Sequence, residues 1–300
     1  MTSHGRRYAF YPGCSLELNA AAYGSSIHAV AERLGLELVE IDDWNCCGAT
    51  EYWTQEKLAS CAIVARNLAL VPDGTEQVTA PCAACFLNLA KVDELMRENS
   101  RLAARVNEAL AAGGLTYEPG RVRVRHLLDV LTCDVGERAI REQVRRPLDG
   151  LRVAPYYGCQ IVRPHGGFDN PEYPSKMDRL LSWLGAEVVD YPVKSHCCGG
   201  HMTQISEPLA LELIHRLLRA AAQYRADVIA CMCPMCQLNL DAYQGRVNSQ
   251  FGTNYRLPVL FVTQIVGYAF GLDPEELGLG LELVEAAPVL RRKVAAGKGG

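Results

Sequence analysis

Asn45-Cys46-Cys47-Gly48 returns later in the chain as His196-Cys197-Cys198-Gly199. Pro81-Cys82-Ala83-Ala84-Cys85-Phe86-Leu87-Asn88-Leu89 returns as Met232-Cys233-Pro234-Met235-Cys236-Gln237-Leu238-Asn239-Leu240. Ahead of each pair, Tyr11-Pro12-Gly13-Cys14-Ser15 resembles Tyr156-Tyr157-Gly158-Cys159-Gln160. The offset is 145 residues for Cys14/Cys159 and 151 for Cys46/Cys197, Cys82/Cys233 and Cys85/Cys236. The six-residue difference therefore falls in one loop, between the first cysteine and the Cys-Cys pair. A period of half the chain is a duplicated domain, not a solenoid array. The boundary is expected near Arg145-Arg146-Pro147-Leu148-Asp149-Gly150, where Pro and Gly punctuate just before a new apolar run. This gives halves 1–147 and 148–300.

Working outward, short apolar runs precede every cysteine group. Arg7–Tyr11 and Leu151–Tyr157 read as strands ending at Gly-Cys; Leu36–Ile41 and Ala186–Tyr191 precede Cys-Cys-Gly; Glu76–Ala80 and Asp227–Cys231 precede Cys-x-x-Cys. Helical patterns lie between, at Ala20–Leu34, Thr54–Leu70, Tyr173–Leu184 and Glu207–Tyr224. Each half is thus β-α-β-α-β-α, an α/β unit with a small parallel sheet. The cysteines fall at the C-terminal strand ends, where open α/β sheets place their sites.

The 300 residues are 49% hydrophobic and 21% charged, with a net charge of −4. These values exclude a disordered chain and make a nucleic-acid partner a poor expectation. No apolar stretch follows Met1–Arg7, so no signal peptide is read and a cytoplasmic location is expected. Pro258–Leu272 is too short for a transmembrane segment. It reads as a core helix ending at Gly271, or else as an interface or peripheral membrane contact. In a reducing compartment, 13 cysteines point to metal or redox chemistry before disulfides.

Ten of those cysteines form two copies of Cys…Cys-Cys…Cys-x-x-Cys. A Cys-x-x-Cys opening a helix puts two sulfurs on one side of a turn, where the helix N-terminus favours thiolate. Adjacent cysteines diverge and rarely chelate one ion through both sulfurs. Five soft ligands exceed the four of a tetrahedral zinc site and suit an iron–sulfur cluster better. Gly48, Gly199 and Gly200 allow close backbone approach and an N–H near sulfur. His196 and His201 flank Cys197-Cys198 and are candidate proton donors to a leaving thiolate. His165 lies in a glycine-rich loop that could cover the second site. Arg163 and Lys194 are either solvated charges or attractors of an anionic substrate. Cys61 and Cys133, without partners in the repeat, read as buried structural thiols. Cys231 stands where the first half has Ala80, beside the second site.

These motifs resemble the CCG domain, and its two-copy arrangement resembles the B-type subunit of heterodisulfide reductase. The resemblance runs from Tyr11-Pro12-Gly13-Cys14 to Pro258-Val259-Leu260-Phe261, and includes Cys46-Cys47-Gly48-Ala49-Thr50-Glu51 and Ala65-Arg66-Asn67-Leu68. It implies two Rossmann-like halves related by a pseudo-two-fold axis. It also implies two non-cubane [4Fe-4S] clusters, one on Cys14, Cys46, Cys47, Cys82 and Cys85, the other on Cys159, Cys197, Cys198, Cys233 and Cys236. By the same resemblance a disulfide or persulfide substrate sits between the clusters and is cleaved one electron at a time. Electrons would come through a C-type, ferredoxin-like [4Fe-4S] partner protein, fed in turn by an A-type flavoprotein. This chain has no ferredoxin-type cysteine run and no G-x-G-x-x-G after a strand, so no flavin and no NAD are expected on it.

Two other readings stay open. The CCG domain also occurs in components of glycolate-, lactate- and succinate-oxidising complexes, where the chain would carry electrons without catalysing. One or both motifs could instead hold structural zinc.

Overall fold

The computed structural model describes residues 6–49, 52–163, 165 and 167–296. Eight strands form two four-stranded sheets. They are β1 (Arg6–Phe10), β2 (Leu36–Glu40), β3 (Gln77–Ala80), β4 (Arg123–His126), β5 (Arg152–Tyr156), β6 (Glu187–Val188), β7 (Val228–Cys231) and β8 (Val259–Phe261). The orders are β2-β1-β3-β4 and β6-β5-β7-β8, with every pairing parallel. The same order in both halves confirms the duplication. Parallel strands covered on both faces read as continuous apolar runs. β7, Val-Ile-Ala-Cys, is buried at all four positions.

Each sheet carries a fourth strand that the sequence pattern did not reveal. In β4 the arginines alternate with valines, and Arg125 is buried at the sheet edge only because Asp129 and Asp134 pair with it. β8 opens the apolar Pro258–Leu272 run, and the helix Val262–Ala269 follows it directly, buried throughout. That run is therefore a core strand and core helix, not an interface or membrane contact.

The halves interlock. The helix Ala21–Leu34 of the first half packs on Val262–Ala269 of the second, with Ser26 Oγ 2.6 Å from Thr263 Oγ1. Reciprocally, the helix Lys176–Trp183 of the second half packs on Leu127–Asp129 and the wide turn Val130–Val135 of the first, where Lys176 pairs with Asp129. The first crossing helix stops at Gly35, in the left-handed region at φ +65°, and the second is followed, one residue past its cap Leu184, by Gly185 at φ +88°. The longer loop of the second half reaches across too. Phe168 packs edge-on against Phe86 and His126.

Candidate metal centres

The cysteine groups stand where three strand ends meet. Cys82 and Cys233 are the N-cap residues of the helices Ala83–Glu98 and Pro234–Ala242. Pro234 takes the first helical position, where its missing N–H costs nothing. Cys14 and Cys159 follow β1 and β5; the Cys-Cys pairs lie in the loops after β2 and β6.

In the first site Cys46 Sγ lies 3.7 Å from Cys14 Sγ, and Cys47 Sγ lies 3.4 Å from Cys85 Sγ. In the second, Cys198 Sγ lies 3.6 Å from Cys236 Sγ, and Cys159 and Cys197 are near enough to shift each other's ionisation. Across the halves, Cys82 and Cys233 lie near enough for each thiol to shift the other's ionisation. Each site has an open edge and a buried floor. Cys14, Cys46 and Cys197 are exposed and Cys159 is half-buried, whereas Cys47, Cys82, Cys85, Cys198, Cys233 and Cys236 are buried. Among the described residues the sulfurs meet in pairs, and no three His, Cys, Asp or Glu side chains converge on a single metal point.

Backbone N–H groups converge on the sulfurs. Gly199 N donates to Cys197 Sγ at 3.3 Å, and the Gly48 N–H favours the thiolate of Cys46. Ala49 and Gly200 N–H groups face Cys47 and Cys198. Neighbouring thiols, Cys14 for Cys46 and Cys159 for Cys197, together with these donors hold Cys46 and Cys197 below the ordinary thiol range, Cys197 down to about 6. For Cys197 the Cys159 thiol contributes most, Gly199 N–H adds to it, and the Arg163 charge helps against the opposing cost of burial. Backbone N–H donors turned to cysteine sulfur suit the ligands of an iron–sulfur cluster.

Glycine acts here in two ways. A Cβ on Gly13, at φ +77°, would stand 2.9 Å from Cys85 Sγ; on Gly158, at φ +69°, it would stand 3.1 Å from Cys236 Sγ. Close sulfur approach is therefore the reason for the glycine before the first cysteine. A Cβ on Gly48 would meet nothing within 4 Å, so that position needs glycine for its φ of +62° and not for close approach.

Two supporting residues per half had no role that the sequence alone assigned, although they lie inside its repeats. Tyr11 donates its hydroxyl to Asn45 O at 2.7 Å, and Tyr156 to His196 O at 2.8 Å. Each phenol thereby pins the residue before Cys-Cys, and burial keeps it protonated. Asn88 donates to Cys47 O at 3.0 Å, and Asn239 to Cys198 O at 3.2 Å. The repetition of Tyr and Asn at matching places was the available signal.

Residues 8–90 and again residues 153–241 match the cysteine-rich domain CCG. The chain belongs to the CCG family. This CCG protein is 34% identical over 283 residues to the 8-methylmenaquinol:fumarate reductase membrane anchor subunit of Wolinella succinogenes, covering 94% of this chain and 98% of the relative. It is 28% identical over 298 residues to the B-type subunit of a ferredoxin:CoB-CoM heterodisulfide reductase from Methanosarcina mazei, covering 97% and 99%. A hypothetical protein from Helicobacter pylori shares the fold at TM-score 0.74 and 16% identity, over 94% of this chain and 52% of that one.

Around the sites of this CCG protein several expectations are corrected. His165 does not cover the second site; its Nδ1 lies 2.6 Å from Glu94 of the first half, because the loop crosses over. Lys194 is neither solvated nor open to substrate. It is buried, paired with Asp178 at 2.8 Å, and lies over the Tyr173 ring. Cys133 is exposed and donates to Asp129 Oδ1 at 3.2 Å, on the rim of a polar cavity of about 260 Å³. Cys61 is fully buried, as is Cys231 at the end of β7. His196 is exposed beside Cys197, and His201 caps the short helix Met202–Ile205. Among the described residues no helix is long and apolar enough to cross a membrane.

Proposed function

We propose that this chain is the catalytic iron–sulfur component of a heterodisulfide reductase-like complex, reducing or forming a disulfide or persulfide bond. Cys14, Cys46, Cys47, Cys82 and Cys85 would hold one non-cubane [4Fe-4S] cluster. Cys159, Cys197, Cys198, Cys233 and Cys236 would hold the other. The observation that supports this most is one five-cysteine set repeated in both halves, with Cys14 and Cys46, Cys47 and Cys85, and Cys198 and Cys236 brought sulfur to sulfur. When bound, an iron–sulfur cluster supplies one-electron transfer, and a disulfide needs two electrons.

The chain's own groups serve the rest. N–H donors at Gly48 and Gly199 stabilise negative charge on sulfur. Arg163, whose charge reaches both Cys159 and Cys197, favours an anionic substrate or thiolate product at the second site. His196 and His201, which flank Cys197-Cys198 in the chain, would hand protons to the thiolates. Electrons would arrive from a ferredoxin-type [4Fe-4S] protein and a flavoprotein, and those partners would supply any membrane association.

The test is turnover. The full chain, purified anaerobically and supplied with a reduced viologen, should reduce an asymmetric anionic disulfide to two thiols. Arg163→Gln should raise KM for that disulfide more than for a neutral one. No thiol release above the viologen blank would sink the proposal.

The 34% identity to a fumarate reductase membrane anchor subunit favours a second reading, an electron relay in a carboxylic-acid-oxidising or -reducing complex. That chain would exchange electrons with its partner dehydrogenase and ignore disulfides.

A further inference from the structure

Tyr23 belongs to neither cysteine motif, yet it stands where the two sites meet. It lies on the first turn of the crossing helix Ala21–Leu34 and is fully buried. Its ring stacks on Phe261, at the end of β8 in the other half, with centroids 4.2 Å apart and planes 2° from parallel. Its hydroxyl donates to Pro81 O at 2.9 Å, and Met232 O lies 3.4 Å away. Pro81 precedes Cys82 and Met232 precedes Cys233. One hydroxyl thus sits between the two carbonyls that lead into the two Cys-x-x-Cys turns.

Those carbonyls belong to peptide units joined directly to the N-cap cysteines, so their orientation sets the direction in which each cysteine's Cα–Cβ bond leaves the turn. The one hydroxyl thus bridges the residues just ahead of Cys82 and Cys233, whose thiols are near enough to shift each other's ionisation. A buried carbonyl without a donor is costly. His126 is fully buried, and its Nδ1 accepts from Leu128 N. Its Nε2 faces the Pro81 carbonyl without completing a hydrogen bond of normal geometry. The bond to Pro81 O is therefore made by Tyr23.

We propose that Tyr23 is a positioning residue: its hydroxyl ties the two Cys-x-x-Cys turns together and sets the separation of the two sulfur sites. The tether itself is a property of the polypeptide. Its bearing on electron sharing between sites rests on the proposed cluster chemistry.

The test uses the cluster-free full chain in a Cys85→Ser, Cys236→Ser background, which removes the sulfurs competing for Cys82 and Cys233. Diamide takes two electrons and two protons from the two thiols and leaves one S–S bond; peptide mass spectrometry follows the Cys82–Cys233 cross-link. With Tyr23 intact the cross-link should form readily. Tyr23→Phe keeps the stacking and deletes only the hydroxyl. It should slow the cross-link about tenfold, the factor a buried hydrogen bond commands, while the Cys14–Cys46 cross-link in the same sample keeps its rate. Phe261→Leu removes the stack and keeps the hydroxyl, so it should retain the rate. An unchanged rate in Tyr23→Phe, a parallel loss in Phe261→Leu, or no cross-link with Tyr23 present overturns the proposal. Iron analysis of the unaltered chain reports separately on the clusters, so the two proposals can fail independently.

Discussion

The two halves share a sheet order, a cysteine spacing and even the tyrosine and asparagine that brace each Cys-Cys turn, yet they differ where they grip each other. At the edge of the first sheet, β4 ends in Arg125-His126. Arg125 binds Asp129 at 2.7 Å and Asp134 at 2.5 Å, Tyr8 binds Asp134 at 2.5 Å, and Lys176 crosses over to Asp129. At the matching edge of the second, β8 ends in Leu260-Phe261. Gln264 replaces the carboxylate, accepting from Phe261 N at 2.9 Å and donating to Leu277 O at 3.0 Å. One crossing is ionic and the other is a hydroxyl pair under stacked rings. The same frame thus tolerates either chemistry at the interlock, while the sulfur geometry is alike in both halves. What the duplication has kept is the sites.

The largest effect expected from this comparison is on metal content. If the halves hold equivalent clusters, Cys46→Ser with Cys47→Ser should lower iron from about eight to about four per chain, two four-iron clusters becoming one. Cys197→Ser with Cys198→Ser should do the same. Loss of all iron from either double variant would mean that the two sites load as one unit.

The interlocks should separate in urea denaturation of the full chain. Asp129→Asn leaves the buried Arg125 with Asp134 alone and the half-buried Lys176 beside a neutral group, and should cost about 3 kcal/mol, as breaking a buried charge pair does. Equal costs for Asp129→Asn and for the hydroxyl crossing would erase the distinction between them.

His126 marks a pH asymmetry, because its counterpart is Phe261. Burial lowers its pKa to about 3, so below its ordinary value of 6.5 the unfolded chain binds a proton that the folded chain refuses. Stability should fall with decreasing pH through that window, by about 1.4 kcal/mol per unit from this group. His126→Phe should flatten the slope by that amount; an unchanged slope would place the titration elsewhere. The smallest effect belongs to Ser26→Ala, which removes the 2.6 Å bond to Thr263 and should cost about 1 kcal/mol.

The repeat made three of four strands per half legible, with all ten cysteines at their ends, because apolar parallel strands leave a local signature. β4 left none, since its buried arginine owes its place to carboxylates four and nine residues on. The pairing of His165 with Glu94 and the burial of Lys194 arise from a loop crossing between halves, which no local pattern encodes. Cys133 lies on the wide turn Val130–Val135, and its exposure is not what a regular helix pattern implies. Gly13 and Gly158 stand in the open within the repeat, but their purpose needed the position of a sulfur more than 70 residues away.

The most direct measurement is iron and acid-labile sulfide in the anaerobically purified full chain, joined to EPR as a thiol is added under oxidation. About eight irons, with matching sulfide and a radical-like signal that appears only with thiol, is the predicted result for two four-iron clusters that meet sulfur substrates. Zinc in place of iron, or cubane signals indifferent to thiol, would contradict disulfide chemistry at these sites.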